Sequence, residues 1–282
     1  KSVAVLGAST RPSVGGDIIE SLKRFGFAGP VYPVNPKYDR LLKLPCYPSL
    51  TDLPAATDVV AFCVAPSRIL ENFRLLPEID VKAAVIFGGG YAEEGATGRA
   101  VQAEIVDICQ QGGIALCGPN CMGVINPTHG SASYLQLARE PDAIKGNVGL
   151  ISQSGSVCIS LLSDVRRFGF SLVVSSGNEA VVNAADYLEF MVDHDATKVI
   201  AMFTETIADP ERYVAALDRA ANNGKPVIVL KVGKAERSRH AITSHTGGLA
   251  GNARVFSEEV DWTSTVLLLL DCPQPRSVLL SC

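Results

Sequence analysis

Residues 3–9 read Val-Ala-Val-Leu-Gly-Ala-Ser, a short apolar run that ends in a turn of small residues. Gly15 and Gly16 follow, and they open a segment of helical periodicity that extends to Phe25. An apolar strand that leads through a tight turn into a helix is typical of a parallel sheet covered on both faces. This stretch therefore predicts an α/β fold.

The same alternation continues along the chain and restarts after a polar stretch. The predicted strands are Val3–Leu6, Val31–Val34, Val59–Val64, Ala83–Phe87 and Ile114–Leu116, then Val148–Ile151, Leu172–Val174, Val199–Phe203 and Val227–Leu230. The predicted helices are Gly16–Phe25, Arg68–Leu76, Gly98–Gln111, Ser156–Phe168, Ala184–Val192 and Pro210–Asn222. We expect two consecutive doubly wound parallel-sheet domains, at residues 1–126 and 147–262.

Residues 263–282 form an atypical tail. Val266–Leu270 is strongly apolar, but Cys272-Pro-Gln-Pro275 follows and no closing helix is recognisable. Two interpretations stay open: a final buried strand, or a natural sequence that is interrupted near Ser257.

Composition excludes several classes of protein. Apolar residues make up 47% and charged residues 19%, which allows sizeable cores, and the net charge of −4 disfavours nucleic acid as a main partner. The apolar runs fall short of the roughly 20 residues that span a bilayer, so no membrane association is expected. The eight cysteines lack the paired spacing of a zinc site or a disulfide framework, which favours a reducing, cytoplasmic location and predicts no bound metal.

The turn after the first strand is a candidate anion site. Gly7 and Ser9 lie where backbone N–H groups and a helix N-terminus point at one place. The full GxGxxG spacing is missing, because Ser9 and Pro12 occupy the second and third glycine positions. A ligand site and a tight turn without a ligand are equally compatible with this sequence.

The second predicted strand ends in Asn35-Pro36-Lys37 instead of an acidic residue. Lys37 favours a phosphorylated ribose, as in coenzyme A or a 2′-phosphate cofactor, although an ordinary exposed lysine is the alternative. Further turns around Pro66, Gly88 and Asn120 end successive strands. Because the carboxyl ends of parallel strands share one edge, these turns predict a groove for a long, thin molecule.

The second half has its own candidate phosphate loop. Ser152, Ser154 and Gly155 lie where a predicted strand passes into a helix, so unpaired N–H donors converge there. A bound phosphate or a phosphorylated imidazole would be stabilised at that point. A plain serine N-cap is the alternative.

A histidine lies among small residues further on, in Ser244-His-Thr-Gly-Gly-Leu-Ala-Gly251. Glu205 ends the predicted strand Val199–Phe203, and a carboxylate bonded to one imidazole nitrogen leaves the other nitrogen nucleophilic. Glu205 alternatively caps the next helix or pairs with a lysine. The basic cluster at residues 231–239 either neutralises phosphate or solvates a loop, and we expect the second role for most of its members.

Taken together, these motifs resemble the α-subunit portion of NDP-forming acyl-CoA synthetases, the superfamily of ADP-forming acetyl-CoA synthetase and succinyl-CoA synthetase. The matching segments run in the family's order and span residues 3–256: Gly7–Ser9, Val34–Lys37, Gly118–Gly123, Gly149–Gly155, Gly177–Glu179, Glu205 and Ser244–Gly251.

The resemblance implies a Rossmann-like coenzyme A-binding domain followed by a flavodoxin-like phosphohistidine domain. It implies that His245 takes a phosphoryl group, that Glu205 orients it, and that the phosphate is held by Ser152, Ser154, Gly155 and Gly247. The positions that it implies for coenzyme A are Gly7, Ser9, Lys37, Pro66, Gly88 and Asn120.

The resemblance also implies partners. An ATP-grasp subunit or domain would bind ADP or ATP with Mg, while acyl-CoA or carboxylate and phosphate would be the substrates of a hetero- or homo-oligomer. Two other functions are weighed: a coenzyme A-binding module, regulatory or part of a protein acyltransferase, and an NADP-dependent oxidoreductase. The intact His245 motif together with Glu205 favours the ligase.

Overall fold

The computed structural model describes residues 1–10, 12–134, 141–163 and 168–232, together with the backbone of 266–270. The first half contains β1 (Val3–Leu6), α1 (Val14–Arg24), β2 (Val31–Val34), β3 (Arg40–Leu41), β4 (Leu44–Pro45), β5 (Val59–Phe62), α2 (Ile69–Phe73), β6 (Ala83–Ile86), α3 (Ala96–Gly112) and β7 (Ala115–Cys117). The second half contains β8 (Gly123–Asn126), β9 (Ser131–Tyr134), α4 (Pro141–Ile144), β10 (Lys145–Ser152), α5 (Gly155–Ser163), β11 (Phe170–Ser175), α6 (Ala184–Asp193), β12 (Val199–Thr204), α7 (Pro210–Asn222), β13 (Val227–Lys231) and β14 (Val266–Leu270).

The first sheet is parallel throughout, with the strand order β2-β1-β5-β6-β7. Alternate residues of β1 pack on opposite faces: Val3 and Val5 contact the core that includes Leu22 of α1, and Leu6 joins the core that includes Phe73 of α2. The Ser13 hydroxyl caps α1 by accepting a hydrogen bond from Gly16 N at 3.2 Å. Helices on both faces bury this sheet, as the uninterrupted apolar runs predict.

The second sheet has the order β14-β13-β12-β10-β11-β8-β9. Strands β10 to β14 pair in parallel, and α6 and α7 bury one face through a core that includes Leu188 and Leu217. The opposite face packs against α5, through Cys158 and Leu162. The prediction of two doubly wound α/β domains is confirmed.

One part of this sheet is absent from the sequence-based prediction. The polar segment between the two halves contains the hairpin β8–β9, and β8 pairs antiparallel with β11 through Val124 and Val174. The hairpin was missed because its strands are short and rich in serine, glycine and asparagine, which weakens the apolar signal. The second sheet is therefore mixed, with an antiparallel edge beside a parallel centre.

Predicted boundaries differ elsewhere by a few residues. Strand β10 begins at Lys145 instead of Val148, and α2 ends at Phe73 instead of Leu76. The backbone of Val266–Leu270 pairs in parallel with β13. Within the described ranges, no helix combines the length and the apolar character needed to cross a membrane.

Candidate functional site

The turns after the parallel strands of the first sheet converge at its carboxyl edge. Gly7 follows β1 with a φ of 88°, and a Cβ atom there would lie 2.5 Å from the Cys63 carbonyl oxygen and 2.8 Å from Val64 Cγ1. A side chain at this position would therefore collide with the turn after β5. The turn after β1 and the turn after β5 therefore lie close together, with their backbone groups at the carboxyl edge of the sheet.

The turn after β2 is held by an asparagine side chain. Asn35 Nδ2 donates to the Ala8 carbonyl oxygen at 2.7 Å, and its Oδ1 accepts from Lys37 N at 3.0 Å. The Ser9 hydroxyl lies 3.3 Å from the Tyr38 hydroxyl. These bonds bring Ser9 and the exposed Lys37 to the same end of the edge. The exposed Lys37 side chain lies where a phosphate in solvent can reach it.

The other end of the edge is formed by the turns after β5, β6 and β7. The ring of Pro66 lies against Gly90, and Asn120 N donates to the Gly88 carbonyl oxygen at 3.0 Å. Asn120 is half-buried, with its Nδ2 3.3 Å from Asn178 Oδ1 of the second half. The six predicted coenzyme A positions thus lie on turns along one edge.

The predicted phosphate loop lies between β10 and α5. Ser152 is fully buried, and its hydroxyl accepts from Ser154 N at 3.1 Å and donates to the Ser154 carbonyl oxygen at 2.8 Å. Ser154 and Gly155 are half-buried at the start of α5. The Ser152 side chain therefore stabilises the loop from its buried side. Ser154 and Gly155 lie on the partly exposed side, at the N-terminus of α5.

Glu205 lies directly beside this loop. Its backbone N donates to Gln153 Oε1 at 2.6 Å, and its carbonyl oxygen accepts from Lys231 Nζ at 2.8 Å. Gln153 Oε1 also accepts from Thr206 N at 2.8 Å. Side chains from both neighbouring strand ends thus fix the main chain of Glu205, which is 7% exposed.

The role that we expected for most of the basic cluster is wrong for Lys231. Its side chain is 2% exposed, because Nζ turns back over the ends of β12 and β13 to two carbonyl oxygens, those of Glu205 and Val232. Sequence patterns do not distinguish such a buried lysine from a solvated one. The remaining basic residues of the cluster, Lys234, Arg237 and Arg239, lie outside the described residues, as do His245 and Gly247.

The carboxyl edge of the first sheet, which carries the predicted coenzyme A positions, is called the coenzyme A edge. The two halves meet where this edge and the predicted phosphate loop come together. Met122 N donates to Ser175 Oγ at 3.0 Å, and a Cβ atom at Gly155 would lie 2.6 Å from Met122 Cγ. Only a glycine fits there without displacing Met122. Since Asn120 is two residues from Met122, the last turn of the coenzyme A edge is adjacent to the start of α5.

A buried carboxyl group next to this junction, in the matching segment Gly177–Glu179, has no role assigned from the sequence. Glu179 is 9% exposed, and its Oε1 and Oε2 accept from Ser176 Oγ at 2.7 Å and Ala184 N at 3.0 Å. Burial raises the pKa of Glu179 to about 7, more strongly than these bonds lower it. A glutamate after Gly177-Asn178 in a small-residue turn was the available signal.

No group of three or more potential metal ligands occurs among the residues that the structure describes.

Comparison with known proteins gives two family matches. Residues 1–127 match the model of a CoA binding domain, and residues 145–264 match that of a succinyl-CoA ligase like flavodoxin domain. The second match includes the segment around His245.

Relatives match both halves together. The chain is 36% identical to acetate–CoA ligase [ADP-forming] I of Archaeoglobus fulgidus, over 91% of this chain and 37% of the relative. It is 33% identical to the alpha subunit of acetate–CoA ligase [ADP-forming] II of Pyrococcus furiosus, over 91% of this chain and 55% of the relative.

Among solved structures, the dinucleotide forming acetyl-coenzyme A synthetase 1 of Ca. Korarchaeum cryptofilum, in complex with phosphate and ADP, superposes with a TM-score of 0.85. It is 32% identical, and the match covers 95% of this chain and 57% of the other. The chain thus spans from about a third to somewhat more than half the length of these proteins.

Proposed function

From the premise that this chain belongs to the superfamily of NDP-forming acyl-CoA synthetases, we propose that it is the coenzyme A-binding and phosphohistidine-carrying portion of an ADP-forming acyl-CoA synthetase. The two matched domains and the relatives' names support this proposal. The observation that supports it most is the contact of Met122 with Gly155, because the turn of Asn120 and the start of α5 lie side by side there.

The proposed reaction begins with acyl-CoA and phosphate. A phosphate oxygen attacks the thioester carbonyl, the carbon–sulfur bond breaks, and the proton passes to the leaving thiolate, which gives an acyl phosphate and free coenzyme A. His245 then attacks the phosphorus, and the carboxylate leaves. ADP takes the phosphoryl group from His245, and the reverse direction makes acyl-CoA, ADP and phosphate from carboxylate, coenzyme A and ATP.

Coenzyme A would lie along the carboxyl edge of the first sheet. The exposed Lys37 would meet the ribose phosphate, with Gly7 and Ser9 close to the same end. Pro66 and Gly88 would flank the chain of the molecule, and Asn120 would lie near its thiol. This orientation delivers the thioester to the junction of the two halves.

The phosphate would bind at the start of α5. The backbone N–H of Gly155 has no intrahelical acceptor, whereas that of Ser154 already donates to Ser152 Oγ, and the helix dipole favours an anion at this point. Ser152 would act indirectly, because its hydroxyl is committed to Ser154. Glu205 would orient the His245 imidazole, and Gly247 would let the histidine loop approach the phosphate.

The activity requires a nucleotide-binding partner. We infer an ATP-grasp subunit or domain that binds ADP or ATP with Mg, since the matched relatives extend well beyond this chain. One of these relatives is itself named an alpha subunit. The histidine loop would carry the phosphoryl group between the two sites.

Phosphoryl labelling tests this function directly. The chain is mixed with an ATP-grasp partner and labelled ATP, and acid-labile, base-stable label is counted. We expect label on the wild type and on His129→Ala, whose histidine lies on the exposed hairpin turn, but none on His245→Ala. A wild type that binds coenzyme A without acquiring label would favour the coenzyme A-binding module instead.

A further inference from the structure

A charge-assisted hydrogen bond joins the two halves close to Asn120. Asn178 Nδ2 donates to Glu93 Oε2 at 2.6 Å, and Glu93 Oε1 accepts from Gly90 N at 2.7 Å and Tyr91 N at 3.2 Å. The Asn178 oxygen accepts from Asn120 Nδ2 at 3.3 Å. One asparagine of the second half therefore contacts two turns of the coenzyme A edge at once.

The main chain continues this connection. Asn178 N donates to the Pro119 carbonyl oxygen at 2.9 Å, and Ala180 N donates to the Gly118 carbonyl oxygen at 3.1 Å. The turn that holds Asn120 is thus held by the second half through both its backbone and its side chain. A shift of Asn178 would move that turn, because the bonds share one short segment.

The types of group in the pair are complementary. The Glu93 carboxylate is acceptor-only when ionised, and two of its bonds come from backbone N–H groups of its own turn. An amide is required opposite, because a second carboxylate at 2.6 Å would repel the first. Both side chains are half-buried, which weakens the screening of such a repulsion by solvent.

We propose that Glu93 and Asn178 form an interdomain pair of positioning residues, which sets the distance between the thiol end of bound coenzyme A and the phosphate loop. This inference rests on the proposed function. A phosphate oxygen attacks a thioester carbon only from about 3–3.5 Å, and a misplacement of about 1 Å costs roughly 100-fold in rate. Neither residue needs to touch the reacting atoms for this effect.

A charge exchange between the two residues tests the pair. Asn178→Asp sets two carboxylates against each other, whereas the double variant Glu93→Gln/Asn178→Asp restores one donor and one acceptor with the direction reversed. Gln102 Oε1 also accepts from Asn178 Nδ2 at 3.1 Å, and its amide must turn over in both variants to donate to the new carboxylate instead. Glu94→Gln is the matched control, since it changes the neighbouring exposed glutamate in the same way. Three quantities are measured for each variant: kcat for phosphate-dependent cleavage of acetyl-CoA, the Kd of coenzyme A, and hydrogen exchange of the Ala180 amide.

For Asn178→Asp we expect kcat to fall roughly 30- to 100-fold while the Kd of coenzyme A changes less than about threefold. The double variant should regain at least about tenfold in kcat and recover slow exchange at Ala180. Glu94→Gln should stay within about twofold of the wild type in all three quantities.

Two results would overturn the pair. One is a double variant that binds coenzyme A normally but is no faster than Asn178→Asp. The other is a parallel loss of kcat and coenzyme A affinity in Asn178→Asp, which would make Asn178 a binding residue. Wild-type chain that, together with an ATP-grasp partner, cleaves none of a panel of acyl-CoA thioesters would refute the proposed function instead. The Ala180 exchange rates would still decide whether the pair holds the halves together.

Discussion

Replacing the buried Glu179 by glutamine should change how stability depends on pH. The carboxyl group prefers its neutral form, because burial raises its pKa to about 7 from an ordinary 4.5. A glutamine reproduces that neutral form: its carbonyl oxygen can accept from Ala184 N, and its amide can donate to the Ser176 hydroxyl. The variant therefore keeps these two hydrogen bonds and removes the ionisation, while the Gln153 side chain, which also hydrogen-bonds the carboxylate, faces a neutral amide instead.

The magnitude follows from linkage. In the wild type, the native state holds a proton on Glu179 between about pH 4.5 and about pH 7, while the unfolded chain has released it. The stability that this proton contributes is complete below pH 4.5 and is lost as the pH rises to about 7. At about 1.4 kcal/mol per pH unit, the loss approaches about 3 kcal/mol.

Urea unfolding followed by circular dichroism measures the effect. The difference in the free energy of unfolding, wild type minus Glu179→Gln, should fall by about 3 kcal/mol between about pH 4 and about pH 8. Glu20→Gln, an exposed glutamate on α1, controls for the general effect of exchanging a carboxylate for an amide. A difference that stays constant over this range, or that rises with pH, would refute the reasoning from burial.

Two further predictions concern lysines. Lys37→Ala should weaken coenzyme A roughly three- to tenfold but dephospho-coenzyme A by less than about twofold, as measured by titration calorimetry, and equal effects would contradict the phosphate role of Lys37. Lys231→Met should slow phosphoryl labelling roughly tenfold and lower the free energy of unfolding by about 1–3 kcal/mol, because it removes the buried hydrogen bonds that Nζ donates to the carbonyl oxygens of Glu205 and Val232. Lys225→Met is its control: Lys225 Nζ also caps two carbonyl oxygens, those of Met191 and His194, at the far end of α6, so its loss should reduce stability while labelling is retained.

The sequence predicts the parallel sheets well, because their strands are buried on both faces and read as uninterrupted apolar runs. Val3–Leu6 and Val31–Val34 begin and end as predicted. Parallel strands also end at a common edge, so turns such as those of Gly7 and Asn120 can be placed together before any coordinates are known. The individual hydrogen bonds between these turns are not predicted in the same way.

Those contacts depend on burial and on distances between segments far apart in the chain. Gln153 is 5% exposed and holds Glu205, yet a glutamine between two serines has no pattern that indicates such a role. The burial of Lys231 likewise depends on the backbone of β12, a strand that lies some 26 residues away along the chain. Hydrogen bonds between buried polar groups that lie far apart in the chain are therefore not predictable from sequence patterns.

The antiparallel hairpin β8–β9 has a consequence for attempts to divide the protein. It completes the edge of the second sheet, and Ile125 and Tyr134 share one apolar cluster with Phe25, the residue that follows α1, so the hairpin packs against both halves. A fragment that starts at Lys145 would leave the edge of β11 open to association with other chains. Chimaeras with relatives should accordingly exchange the hairpin together with the second sheet and match its contacts with α1.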